Sequence, residues 1–148
     1  MKKLLLILFA SMCTLTIEAN RINFINLTKH EMKYRVSVEF IETSKFGFFT
    51  DSDETTINGY IIPNKIMYFD YETPDNFLTD NSKSRNKFNK FIAIEIIDMH
   101  DKDVMTYKCN KTNHKKLNDE LLENEHISVY ITLNENNQIT LSIKSNDL

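Results

Sequence analysis

The sequence predicts an all-β domain built from two packed antiparallel sheets, and three observations predict it. Apolar residues recur at every second position in several separate runs. Asparagine- and aspartate-rich segments divide those runs, in a chain of 148 residues with only two glycines and two prolines. Helical spacing is confined to one short stretch. Period two puts alternate side chains on opposite faces of an extended chain, so each such run is a strand with one face inward.

The first nineteen residues stand apart. Lys2 and Lys3 precede an apolar run from Leu4 to Ala10 whose character persists to Ile17, and Ala19 offers a small residue for cleavage before Asn20. This is the pattern of a secretory signal peptide, too short for a membrane span. The expected domains are therefore a signal peptide over 1–19 and one β-sandwich domain over 20–148. The expected address is secreted or periplasmic, and the compact leader suits a bacterium. Cys13 would permit lipid anchoring, but Met12 stands before it where a small residue is required. The chain beyond the leader has the size of one ordinary domain, large enough for a core without staples.

Residues 22–28 read as the first strand, with Ile22 and Phe24 on one face and Ile25 and Leu27 on the other, two apolar faces that suggest cover on both sides. Tyr34, Val36, Val38 and Phe40 alternate with Arg35, Ser37 and Glu39 in the second. Residues 55–62 and 65–71 form two more, joined across Pro63-Asn64, a corner that suits proline's fixed φ and missing donor. The most apolar stretch is 88–98, with Phe88, Ile92, Ile94 and Ile96 on one face and Phe91, Ala93 and Ile97 on the other. It is expected to be central, with 104–109 returning beside it. Ile127, Val129, Ile131 and Leu133, then Ile139, Leu141 and Ile143, flank Asn134-Glu135-Asn136-Asn137 and so make a C-terminal hairpin. Asn113–Asn124 carries the helical spacing and predicts one short helix. Thr50–Glu54 and Thr73–Asn86 are expected to be loops.

The charge of −3 disfavours a protein that binds nucleic-acid backbones. Two glycines exclude phosphate-cradling loops and dinucleotide fingerprints, and no serine sits in a nucleophile elbow. Cys109 is expected to be a buried, inert thiol, with an intermolecular disulfide as the alternative. Asn26-Leu27-Thr28 and Asn110-Lys111-Thr112 match the glycan acceptor pattern, a match that arises easily in an asparagine-rich chain.

Two groups of residues could carry a function. Phe48, Phe49, Tyr60 and Tyr71 could gather at one edge as a sticky patch for a protein or a sugar, while core filling is their usual fate. Asp98, His100, Asp101 and Asp103 offer carboxylates and an imidazole to a divalent cation at the end of the apolar strand; the simpler account is a hydrated turn. Asp51, Asp53 and Glu54 could attract a basic partner. His30, His114 and His126 lack helical metalloprotease spacing and read as boundary residues. No other cofactor is expected.

The short first strand bearing asparagine, the proline bend and the C-terminal hairpin are similar to immunoglobulin-like sandwiches in architecture, and no residue role is carried over. The expected function is that of an exported, non-enzymatic binding module. The alternative is a small exported hydrolase, or a cation-dependent protein, that uses the rim near Asp98 and His100.

Overall fold

The computed structural model describes residues 20–43, 50–73, 87–110, 121–122 and 126–145. The leader, Cys13, Phe48, Phe49, His114 and nearly all of the expected 113–124 helix lie outside them. So does the expected 73–86 loop beyond Thr73. None of the described helical residues makes a helix long and apolar enough to cross a membrane.

The described residues form eight strands: β1 (Asn20–Asn26), β2 (Met32–Thr43), β3 (Thr50–Ile61), β4 (Ile66–Tyr71), β5 (Lys87–Asp98), β6 (Val104–Asn110), β7 (His126–Leu133) and β8 (Ile139–Ser145). One sheet has the order β4-β1-β7-β8 and the other β3-β2-β5-β6. Their inner faces meet as a sandwich. Phe24 of the first sheet stacks on Tyr34 of the second at 5.3 Å, and Phe40 of the second lies 6.3 Å from Tyr71 of the first.

Alternation accounts for the core. Met32, Tyr34, Val36, Val38 and Phe40 are buried from β2, and Ile92, Ile94 and Ile96 from β5. Ile22, Phe24, Ile127, Val129 and Ile131 face them from β1 and β7. Leu121 and Leu122, the described part of the expected helix, are also buried. Lys90 lies in the buried phase of β5, with its ammonium 5.1 Å from the ring centre of Tyr71. Cys109 is buried and free, and burial pushes its thiol up to about 11, which keeps it protonated and unreactive at neutral pH.

Three expectations need correction. Thr50–Glu54 is not a loop: β3 begins at Thr50 and pairs with β2 without a break from Thr43↔Thr50 to Met32↔Ile61. The acidic side chains of Asp53 and Glu54 are tolerated because β3 is an edge strand. β1 is not covered on both faces, since Ile25 is half-buried and Leu27 is 54% exposed. The corner at Pro63-Asn64 carries the chain from one sheet to the other. β3 ends one sheet and β4 ends the other, and Asn64 takes φ 57° in the crossover. The first sheet is also not wholly antiparallel, because β1 and β7 pair in parallel.

That parallel pairing shows how the chain runs. Odd-numbered strands all finish at one end of the sandwich. The connections β1–β2, β3–β4, β5–β6 and β7–β8 therefore gather there.

Candidate functional site

Buried polar side chains fasten these connections to one another. Asn26 is fully buried. Its Nδ2 donates to the carbonyls of His30 and Ile61 at 2.8 and 3.0 Å, and its Oδ1 accepts from the amide and hydroxyl of Thr28. Its main chain bonds Lys65 and Asn64 on the β3–β4 connection. With both Nδ2 hydrogens committed and no exposure, Asn26 is not a glycan acceptor in the folded protein. Asn110-Lys111-Thr112 lies largely outside the described residues.

Asp98 closes β5 and is also fully buried. One carboxylate oxygen accepts from the amides of His100 and Asp101 across the turn, and the other meets His30 Nδ1 at 2.6 Å. Burial alone would raise the Asp98 carboxyl. The hydrogen bonds from His30, His100 and Asp101 outweigh burial and hold it below the usual carboxylate range. Asp103 Oδ2 accepts from the Ile139 amide at 2.9 Å, so the β5–β6 turn is tied to β8. Lys102 takes φ 55° in that turn.

Of the four residues expected to hold a cation, Asp98 and Asp103 are thus spent on the protein's own donors. His100 and Asp101 remain near the surface, with His100 Nδ1 at 2.7 Å from Asp101 Oδ1. That contact raises the His100 imidazole above its ordinary range. Spacing along the chain assigned His30 no role, yet its ring stacks on His100 at 4.7 Å with 20° between planes. His30, His100 and Asp101 each place a donor atom within 4.8 Å of the others. The two histidines are so far apart in sequence that no spacing rule could pair them; only the facing of two connections does.

The aromatic group divides differently. Tyr60 is 51% exposed on β3. Tyr71 does not join it at a surface: inward phase on β4 buries Tyr71 beside Phe69 at 5.8 Å. Ile57, Ile62, Ile66, Met67 and Tyr68 are exposed instead, from 39% to 62%. With Tyr60 they lie on β3, on β4 or between them, along the two adjacent edge strands. Ile66-Met67-Tyr68, apolar at three successive positions, was the available sequence signal. Ile57 and Met67 share the inward phase of their strands and are still accessible, so this flank of the sandwich is open.

The acidic half of β3 adjoins this flank. Glu54 lies directly opposite Glu39 of β2. Like charges in that position repel. On the outer face of the same sheet, Ser37 and Ala93 leave a depression of about 360 Å³ bounded by Arg35, Glu95 and Lys108.

Compared with protein-family models, with curated proteins and with solved structures, the chain matches none.

Proposed function

We propose that the protein is an exported, non-enzymatic binding module that takes an extended segment of a protein partner along the edge of β3. Export rests on the leader pattern of Lys2, Lys3 and the apolar run to Ile17. The single observation that carries the binding reading is the collection of Ile57, Tyr60, Ile62, Ile66, Met67 and Tyr68 along adjacent edge strands of the two sheets. An edge strand presents main-chain donors and acceptors to an added strand, and the exposed side chains supply the apolar area that gives affinity.

The charge pattern specifies the partner further. Asp53, Glu54 and the opposed Glu39 make one half of this edge acidic, and the other half is apolar. A matching segment alternates apolar residues over Ile57–Ile62 and carries lysine or arginine where it passes Glu54. Its basic groups would relieve the repulsion between the two glutamates. The immunoglobulin-like resemblance is one of architecture only. Antibody constant domains keep the first two strands in one sheet, whereas β1 and β2 belong to different sheets.

Selection of extended peptides against the purified protein tests the reading. Winners should alternate apolar residues and carry basic ones. Tyr60→Ser combined with Ile66→Lys should weaken them at least about tenfold, the loss of roughly 1.4 kcal/mol of contact. Failure to select any peptide, or binding indifferent to that double substitution, would contradict it.

A further inference from the structure

We propose that His30, His100 and Asp101 bind a late first-row divalent cation, zinc being the archetype, with Asp98 as the positioning carboxylate. The site lies on the connection end, and it does not depend on the strand-edge reading.

Its construction starts with Asp98. A fully buried carboxylate holds His30 Nδ1 at 2.6 Å, which anchors the ring and leaves Nε2 as its other ligand atom. Carboxylate, imidazole and metal in series is the arrangement in which an outer carboxylate orients a ligand and raises its basicity. Asp98 is itself immobilised by the amides of His100 and Asp101, so the same carboxylate shapes the turn that presents the other two ligands.

The second ring lies almost parallel to the first, at 4.7 Å. Donor atoms of all three residues fall within 4.8 Å of one another. Tetrahedral zinc with ligands at about 2.0–2.1 Å needs donors about 3.3 Å apart. The remaining closure falls to His100 and Asp101, whose side chains are 71% and 43% exposed and would exchange their mutual contact for the metal, while His30 stays anchored on Asp98. Two imidazoles and one carboxylate favour zinc, copper or nickel over calcium, which takes six to eight oxygens. Asp103, the one further carboxylate in the turn, is bonded to the Ile139 amide. Three protein ligands leave a fourth position for water or for a group on a partner.

Zinc titration of the purified protein, followed by melting temperature and by calorimetry, tests the assignment, with cobalt as the spectroscopic probe. One equivalent of zinc should bind and raise the melting temperature, and cobalt should give the intense visible absorption of a tetrahedral site. His100→Ala, at an exposed position that leaves the core intact, should weaken zinc at least tenfold and abolish the cobalt band. His30→Gln should do the same, and His126→Ala, outside the cluster, should change neither. Absence of binding at millimolar zinc would overturn the proposal. So would binding that survives His100→Ala, or that is lost equally in His126→Ala.

Discussion

The connection end and the β3–β4 flank invert the usual arrangement in opposite ways. At the connection end, polar side chains are buried: Asn26, Thr28 and Asp98 are each at most 5% exposed. On the flank, large apolar side chains are exposed, with Ile66 at 62% and Tyr68 at 61%. The buried polar groups of the end are satisfied within the chain: Asn26 bonds Ile61 and Asp98 bonds His30 across connections, and Thr28 bonds Asn26 within its own. Among the described residues the flank presents two edge strands and exposed apolar area. A buried polar group without partners costs far more than an exposed apolar one, so folding must complete the first and can leave the second to a partner.

The largest expected effect comes from breaking the end. Asn26→Ala strands the Thr28 amide and takes the Nδ2 donor from the Ile61 and His30 carbonyls, the latter keeping the Thr28 hydroxyl, and should destabilise the protein by about 3 kcal/mol in urea unfolding. If it costs no more than a surface substitution, the end is not held together by this side chain. Gly59→Ala sits where the two regions meet. An added Cβ there would come within 2.7 Å of the Tyr34 ring, which is buried against Phe24. A loss of about 1–3 kcal/mol is expected, read in the same way.

Asp98 sharpens the comparison through pH. Its carboxyl is held below the usual range in the folded protein. The stability it contributes is therefore present above the unfolded value of about 4 and disappears as pH falls through its lowered folded value. With chelator present, Asp98→Asn should be less stable at pH 7 and should lose part of the acid dependence below about pH 4. Equal acid dependence in both proteins would remove Asp98 from the account. His100 has the opposite sign. Its raised value contributes below about pH 6.5 and the contribution fades as pH rises through the folded value, a small effect at so exposed a side chain.

The smallest effect belongs to the flank. Tyr68→Ser should move the unfolding free energy by less than about 0.5 kcal/mol, because Tyr68 is largely exposed. A loss of several kcal/mol would mean that the flank is part of the core.

Strands were readable because one face of each repeats every second residue, and a buried phase such as Val36, Val38 and Phe40 cannot be hidden by chemistry on the other face. The C-terminal hairpin was readable for the same reason, with Asn134–Asn137 between its two runs. The β3 extension was not, since Thr50–Glu54 is polar in both phases and its strand character comes from pairing with β2. Tyr71 was misplaced because composition marks it as a surface aromatic while its phase on β4 points inward. The His30–His100 stack was invisible because it depends on which connections share an end, and that follows from the sheet order alone. Lys90 is a local exception within β5, where a charged residue keeps the buried phase by laying its ammonium over Tyr71.

Amide hydrogen exchange, resolved residue by residue, tests the contrast between the two regions most directly. The amides of the connection end, those of Leu27, Asn64, Met99 and Lys102, are bonded to Ile131, Asn26, Glu31 and Asp98 and should exchange as slowly as the centre of β2. The outward-facing amides of β3 and β4 should exchange orders of magnitude faster. Rapid exchange at all four connection amides, with slow exchange along the outer edge of β3, would contradict the account.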